Sequence, residues 1–430
     1  MAGFLQLLRE NPNYRYTWMG QVVSEVGDHF NNIAVFGLAV TLPHSGMVVT
    51  GVLLSRAVPA ILAGPLAGVL LDRLDRKRVM IASDLVRAVM ALFFILAAAN
   101  PVPSTLFALS AMLMVASPFF TSGRSAILPT IATKEQLHTA NSLTQTTQWT
   151  TLTIGAMLGG ASVTHFGYQW SFFFNALSFL FSAWCISRLR VAGGSFKAER
   201  RSLTEVDVVK PWHEYAAGLR YMRAHPMMMG VAVVAVGWAT GGGAAQILFS
   251  LFGEQVFHKG AAGIGIIWGF AGSGLLLGGL LAHWLGPRLS FSAYKKLIAV
   301  VYLVHGGAYV IFSQMQSFAW ACFFIALSRA AVAISSVLNM SQMLRHVSNA
   351  YRGRVFSTIE TLTWGTMMLS MTAAGAASSQ YSPRTIGLVS GILSSLTAFY
   401  WLALDAAGRL PEPEREGVEP NEVEVHEPTV

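Results

Sequence analysis

The stretch that decides the fold is Gly64-Pro65-Leu66-Ala67-Gly68-Val69-Leu70-Leu71-Asp72-Arg73-Leu74-Asp75-Arg76-Lys77-Arg78-Val79. An apolar run without charge after Arg56 ends at Asp72, six charges follow within seven residues, and a second apolar run begins at Val79. This pattern predicts a very short loop between two long hydrophobic helices. Because four of these charges are cations held next to a bilayer, the loop is typical of a cytoplasmic turn. Gly64 and Gly68 share one helix face, so we expect a neighbouring helix to approach closely there.

The composition is that of a polytopic membrane protein. Of the 430 residues, 53% are hydrophobic and only 12% are charged, a balance that the surface of a soluble domain of this size does not tolerate. The net charge of +8 is dispersed over short loops, which favours membrane topology over nucleic-acid binding. Cys185 and Cys322 lie inside apolar runs, and the eleven histidines show no metal-binding spacing. We therefore expect no disulfide, no metal, no cofactor and no enzymatic activity.

Twelve apolar runs are long enough to cross a bilayer, which takes about 20 helical residues. The predicted spans are 17–40, 47–71, 79–99, 103–123, 140–163, 171–188, 227–252, 262–284, 296–313, 317–339, 355–377 and 385–404. With both termini in the cytoplasm, 24 of the 29 Lys and Arg residues lie on the inner side. Residues 1–16 contain no apolar core with a cleavage site, so we expect no removable signal peptide.

The chain divides into two halves. We predict an N-terminal six-helix bundle at 1–188, a cytoplasmic linker at 189–226, a C-terminal six-helix bundle at 227–405 and a disordered acidic tail at 406–430. Within the linker, residues 213–222 have the apolar spacing of an amphipathic helix on the membrane surface. A shift of 215 residues lays Ser142 on Ser357, Thr146 on Thr361 and Trp149 on Trp364. Such a repeat is typical of transporters whose two bundles rock around a midplane site.

The pattern Gly-x-Leu-x-Asp-Arg-x-x-Arg-Lys-x-Val from Gly68 to Val79 resembles the signature loop between the second and third helices of major facilitator superfamily transporters. Asp75 stands where the general pattern has glycine. The form Asp-Arg-x-Asp-Arg-Lys, with Gly-Pro upstream, resembles the branch of drug and siderophore exporters that includes macrolide and enterobactin efflux proteins. Residues 351–355 resemble another turn of this branch. The resemblance implies an all-α membrane protein with twelve helices in two six-helix pseudo-repeat bundles.

The resemblance also implies a gate on the cytoplasmic side. Asp84 and Arg87, together with Arg124 and Arg56, resemble the charge relay that packs against the signature loop in this branch. Such a cluster can hold one conformational state and release the other, although rigid structural pairing is a near-equal alternative. The predicted gating residues are Gly68, Asp72, Arg73, Arg76, Lys77, Asp84, Arg87 and Arg124.

The first span carries a polar stripe. Gln21, Glu25, Asp28 and Asn32 follow one another at helical spacing and share one face. A carboxylate that faces lipid costs about 2.5–3.5 kcal/mol, so we expect the stripe to face a cavity. Two carboxylates three residues apart cannot both ionise cheaply there, so one is expected to hold an exchangeable proton. Asp28 is the preferred coupling residue and Glu25 the second; interhelical packing by hydrogen bonds is the alternative.

The fifth and eleventh spans carry a second pair of stripes. Gln145, Gln148 and Trp149 lie on one face, and the repeat places Glu360 and Trp364 on the partner helix. An aromatic plate beside amide or carboxylate groups suits an amphipathic substrate, because apolar burial supplies affinity and polar groups set orientation. The alternative is a pair of hydrogen-bonding helix faces. We predict Glu360 as a further proton-coupling residue.

Two further features bear on the transport cycle. Arg329, in the tenth span, is predicted to meet a substrate anion or Glu360. Residues 155–160 resemble the antiporter signature Gly-Pro-x-x-Gly-Gly of the fifth helix, with Ala156 where proline is expected. The full set of predicted substrate-binding residues is Gln21, Asn32, Gln145, Gln148, Trp149, Trp364 and Arg329.

These patterns favour a monomeric secondary transporter in the inner membrane, surrounded by lipid, that exports small amphipathic molecules in exchange for protons. The chain has no phosphate-binding motif, so energy is expected to come from a gradient. One alternative is a lipid or lysolipid flippase, or an uncoupled facilitator, with a laterally open groove and little proton dependence. Another is a non-transporting membrane scaffold or sensor that uses the acidic tail to bind partners.

Overall fold

The computed structural model describes residues 2–191, 196–197 and 211–412. The N-terminal half contains α1 (Ala2–Glu10), α2 (Pro12–Thr41), α3 (Ser45–Arg73), α4 (Arg76–Ala99), α5 (Pro103–Ile131), α6 (Lys134–Phe166) and α7 (Tyr168–Ser187). The remainder contains α8 (Pro211–Ala224), α9 (Pro226–Leu251), α10 (Gly260–Leu285), α11 (Phe291–Gln314), α12 (Phe318–His346), α13 (Asn349–Ala377) and α14 (Pro383–Ala406). A π-helical turn at Phe252–Val256 extends α9, and a 3-10 turn at Gly286–Arg288 follows α10.

Short local signals set where these helices begin. Proline occupies the first turn of α2, α5, α9 and α14, where its missing N–H would have no helical partner anyway. Polar side chains cap others: Asp75 accepts a hydrogen bond from the backbone N–H of Arg78 in α4, and Thr133 and Gln136 form a capping box on α6. The chain can therefore turn within a few residues between long apolar helices.

All twelve predicted membrane spans are present as helices. In the described part of the chain, nine helices are long and apolar enough to cross a membrane. The three long helices outside that set are α2, α6 and α13, which carry the predicted polar stripes. Their polar side chains are expected to face the protein interior rather than lipid, whereas apolar side chains of α6 and α13, such as Leu158 and Leu369, are exposed.

Helices of each half pack mainly with one another. In the first half, α2 lies against α6 and α7, while α3 and α4 lie against α5. In the second half, α9 lies against α13 and α14, and α12 lies against α10 and α11. The main contact between halves joins α6 to α10, where Gly160 and Gly265 let the two backbones approach closely.

The second contact between halves, from α3 to α13, lies at one end of the molecule. Gly46 packs against Gly375 and Ser378, and Thr50 Oγ1 donates to the Met371 carbonyl at 3.4 Å. At the same end Gln255 Nε2 donates to Ser45 Oγ at 2.8 Å. The halves are thus closed at the end opposite the signature loop.

The expected close approach at Gly64 and Gly68 is absent from this conformation, and that prediction is wrong here. No atom lies within 4 Å of the position that a Cβ would take at either glycine, nor at Gly365 on α13. The physical reason is the divergence of α3 from α13 towards the signature-loop end. Close packing of one helix face depends on which end of the molecule is closed.

The linker and the tail are described in part. Helix α8 packs against α13 and α9, and the backbone at Gly218 lies against Arg354 and Thr358. The predicted acidic tail lies outside the described residues from position 413 onwards, as does most of 192–210. Just before that tail, Lys295 Nζ bonds Asp405 at 2.5 Å and donates to the Leu410 carbonyl at 3.1 Å. Lys295, near the start of α11, thus has its acidic partner in α14.

Candidate functional site

Glu25, in α2, is held by three polar partners. Its Oε1 accepts hydrogen bonds from Gln21 Nε2 at 2.8 Å and from Arg124 Nη1 of α5 at 3.4 Å, and its Oε2 accepts one from Thr151 Oγ1 of α6 at 2.9 Å. The polar stripe therefore faces neighbouring helices. Arg124, predicted as part of the gate, is here the counterion of Glu25.

Asp28, one turn further along, is bonded differently. Its Oδ1 is buried and, within the described residues, has no hydrogen-bond partner. The same is true of Asn32 Oδ1 and Arg56 Nη1. Asp28 lies within electrostatic range of Arg56 and Arg87. Of the two stripe carboxylates, Glu25 is committed to a network, while Asp28 keeps an acceptor available for a proton or a ligand.

The second predicted charge pair is internal to the first half. Arg87 forms an ion pair with Asp84, and its guanidinium lies between the rings of Phe120 at 4.7 Å and Phe179 at 4.3 Å. Both charged side chains are almost fully buried. The pair thus packs against α5 and α7, which favours the alternative of a structural pair over a contact with the signature loop.

The signature loop makes its own contacts. Arg76 lies 3.9 Å from Asp72 and donates to the Ala126 carbonyl at 2.9 Å, and Lys77 donates to the Leu189 carbonyl at 2.9 Å. Asp75 caps α4 through Oδ1 and accepts from the backbone N–H of Phe196 through Oδ2 at 3.0 Å. Asp75, which stands where the general pattern has glycine, therefore binds the linker at Phe196.

The repeated tryptophans have different surroundings. Trp149 packs against Gly279 of α10, so it belongs to the contact between halves, while Gln145 and Gln148 beside it are exposed. Trp364 instead lines a cavity of about 510 Å³ in the second half. Its polar lining, beyond Glu360, comes from Trp238, Tyr302, Ser335, Ser336, Asn339 and Thr363. Sequence reasoning missed the residues from α9, α11 and α12, because they are single side chains without a polar stripe.

Arg329 lies away from Glu360. Its guanidinium stacks on Phe249 of α9 at 5.0 Å, and it is within electrostatic range of Tyr309 and His305 of α11. Glu360 has no base within ion-pair distance among the described residues. The predicted contact between the two is not present.

The glycine-rich part of α6 touches both halves. A side chain at Gly159 would meet the backbone of His29 and Phe30 in α2, and one at Gly160 would meet Ala261 and Gly265 in α10. Ala156 is buried with its carbonyl against Gly265. Among the described residues, no group of three or more His, Cys, Asp or Glu side chains is placed to hold a metal ion.

Residues 17–364 match the family model of the Major Facilitator Superfamily. The chain belongs to this superfamily. It is consequently a multi-pass membrane transporter of small molecules, and the predicted fold of twelve helices in two pseudo-repeat bundles is confirmed.

Two relatives of this major facilitator protein cover nearly its full length. BacE of Bacillus subtilis (strain 168), to which the export of bacilysin is ascribed, is 23% identical over 391 residues, or 90% of this chain and 93% of BacE. The enterobactin exporter EntS of Citrobacter koseri is 26% identical over 377 residues, or 82% of each chain. A solved structure of a variant of the nucleoside transporter NupG has the same fold, with a TM-score of 0.69 and 14% identity over 90% of this chain and 99% of that one.

Proposed function

We propose that this protein exports small amphipathic molecules across the inner membrane in exchange for protons, by alternating access. The observation that carries the proposal is Asp28, whose buried Oδ1 has no hydrogen-bond partner among the described residues, while both oxygens of neighbouring Glu25 accept hydrogen bonds. A carboxylate in a membrane helix is costly, and one without a fixed partner can take up and release a proton. The names of BacE and EntS support export as the direction.

The proposed orientation places the signature loop and both termini in the cytoplasm. The loop holds four cations within seven residues, and the charge distribution of the whole chain favours the same side. In that orientation the structure is closed towards the outside, at Ser45, Gly46 and Gly375, and open inwards. Residues 1–188 and 227–405 are the proposed moving bundles, with 189–226 as their linker on the inner membrane surface.

The proposed substrate-binding residues lie on one helix of each bundle, α6 and α13. Exposed Gln145 and Gln148 lie on α6, and Trp364 lines the cavity with Glu360. Apolar walls with few polar groups suit an amphipathic molecule. The packing of Trp149 on Gly279 favours a structural role for that residue in this conformation. Movement of the signature loop, through Gly68, Asp72 and Arg73, is the proposed gating step.

Proton flux in proteoliposomes tests this proposal. We expect lipophilic drugs added to wild-type protein to drive proton movement, and Asp28→Asn to abolish it with the protein still folded. Glu360→Gln is the second coupling candidate. Glu135→Gln, which removes an exposed carboxylate, is the matched control and should leave coupling intact. Drug efflux that persists at the wild-type rate in Asp28→Asn would exclude Asp28 as the coupling residue.

A flippase is the second candidate, because a laterally open apolar cavity is present. It measures about 480 Å³ and is lined by α3, α4 and α5, including the exposed Leu70, Val86 and Met112. This groove opens on the outside of the first bundle, not between the two halves. Movement of a fluorescent lysolipid across vesicles without proton flux would favour the flippase, and its absence would favour the exporter.

A further inference from the structure

Four helices line the cavity of the second half, and the lining faces of α9, α11 and α12 continue towards the closed end of the molecule. On α12, Arg329 precedes the lining residues Val332, Ser336 and Met340 by 3, 7 and 11 positions, which places all four on one stripe. On α11, Tyr309 follows the lining residue Tyr302 by seven positions. Arg329 and Tyr309 therefore lie beyond the end of this cavity that is nearer the closed end of the molecule.

Beyond that end of the cavity, the faces of α9, α11 and α12 meet in one cluster of side chains. Arg329 stacks on Phe249 of α9, which follows the lining residue Trp238 by eleven positions. His305 Nδ1 lies 2.7 Å from Ser328 Oγ, next to Arg329, and the rings of His305 and Tyr309 are 6.4 Å apart. The cluster therefore consists of Phe249 from α9, His305 and Tyr309 from α11, and Arg329 from α12.

The cluster carries positive charge without a compensating acid. Arg329 forms no ion pair among the described residues, although only 6% of its surface is exposed. His305 Nε2 and Tyr309 OH are buried and likewise lack a hydrogen-bond partner in the described chain. A buried guanidinium is costly unless an anion reaches it, and unpaired polar groups beside it add to that cost. An arriving oxyanion would accept hydrogen bonds from Arg329 and Tyr309, and from His305 Nε2 in the tautomer whose Nδ1 accepts from Ser328 Oγ.

We propose that Arg329, His305 and Tyr309 form a subsite that binds the carboxylate of the transported substrate. A planar carboxylate matches the guanidinium fork, which can donate two parallel hydrogen bonds to it. The apolar body of the substrate then lies along Trp238, Met340 and Trp364 towards the open end. This inference rests on the proposed export function and narrows its substrates to amphipathic carboxylates.

Binding of a matched pair of probes tests the subsite without any transport. The probes are 4-phenylbutyrate and its neutral amide, 4-phenylbutyramide, measured by equilibrium dialysis against full-length protein in nanodiscs at pH 7. We expect wild-type protein to bind the carboxylate about tenfold more tightly than the amide, because one charge-assisted interaction differs. Arg329→Gln should bring the ratio to about one, and Arg329→Lys should restore part of it.

Arg288→Gln is the matched control, since Arg288 also stacks on an aromatic ring, that of Trp284, but is exposed. It should keep the wild-type ratio. Tyr309→Phe removes one hydroxyl and should reduce the preference for the carboxylate over the amide about threefold. This variant tests the subsite if Arg329→Gln does not fold. A wild-type protein with no preference for the carboxylate, or an undiminished preference in both Arg329→Gln and Tyr309→Phe, would overturn the subsite.

The result is separable from the proton experiment. A carboxylate preference lost in Arg329→Gln, together with no proton flux, would retain the subsite and reject antiport. Proton flux driven by neutral drugs, with no carboxylate preference, would retain antiport and reject the subsite.

Discussion

The buried charges of the two halves are arranged in opposite ways. In the first half, Asp84 pairs with Arg87 and Glu25 pairs with Arg124, so opposite charges largely neutralise one another. In the second half, Arg329 and Glu360 lie in separate surroundings, and neither forms an ion pair among the described residues. Pairing inside a membrane bundle satisfies charges with protein groups, whereas separation leaves them to be satisfied by water, protons or a ligand.

The pseudo-repeat extends to the helices but not to their buried charges. The two halves share helix order and several aligned residues, such as Trp149 and Trp364, but the polar interior is not repeated. Asp28 stands apart within the first half, because its Oδ1 has no hydrogen-bond partner in the part of the chain that the structure describes, although Arg56 is near. We infer that the unpaired groups of both halves are the ones available to substrate and protons, and that the paired ones hold the first bundle together.

The largest expected effect is the loss of a buried partner. Arg87→Met should lower the free energy of unfolding by about 3–5 kcal/mol, because Asp84 would remain buried without its counterion. Arg329→Met should cost less than about 1 kcal/mol, since no acid is left behind. Denaturant unfolding in nanodiscs measures both. The double variant Asp84→Leu with Arg87→Met should regain most of the loss, and equal costs for Arg87→Met and Arg329→Met would break the comparison.

Within α2, two neighbouring carboxylates provide a sharper version of the same contrast. Glu25→Gln should lower stability by about 1–3 kcal/mol, because Arg124 loses a charged acceptor and Thr151 a bond. Asp28→Asn should change stability by less than about 1 kcal/mol while it abolishes drug-driven proton flux. Unfolding and flux are measured on the same preparations. A strongly destabilised Asp28→Asn protein would instead mean that Asp28 is a packing residue.

Hydrophobicity and motif made most of the fold predictable. All twelve spans are present because runs of about 20 apolar residues have few alternatives to a membrane helix. The polar stripe of α2 was predictable too, since helical spacing places Gln21 and Glu25 on one face. Which partner each stripe residue meets was not predictable, because Arg124 and Thr151 come from helices far away in sequence.

The remaining misses have two physical causes. Trp238 and Asn339 line the second-half cavity, and His305 and Tyr309 lie close together beyond it. All four are isolated polar residues in apolar helices, so only the packing of α9, α11 and α12 reveals these neighbours. The expected contact at Gly64 and Gly68 failed because it depends on which end of the molecule is closed. One sequence must be compatible with more than one packing in a transporter that alternates.

The repeat-related tryptophans allow a prediction of intermediate size. Trp149→Ala should lower the free energy of unfolding by about 2 kcal/mol, because the indole fills the space above Gly279 between the halves. Trp364→Ala should cost less than about 0.5 kcal/mol, since Trp364 lines the cavity and 42% of its surface is exposed. The same variants tested for drug binding should show the reverse order. Equal stability losses would contradict different roles for the two residues.

The smallest expected effect comes from an ion pair of the second half, Lys295 with Asp405. Lys295 and Asp405 are 2.5 Å apart, but 18% and 25% of their side-chain surfaces remain exposed. Water competes with such a pair, and Lys295 also keeps the Leu410 carbonyl as an acceptor, so Asp405→Asn should cost only about 0.2–1 kcal/mol. The loss should shrink further at high salt, whereas that of Arg87→Met should not. If Asp405→Asn matched Arg87→Met, then the presence of a partner rather than burial would govern stability, and the contrast between the halves would lose its physical basis.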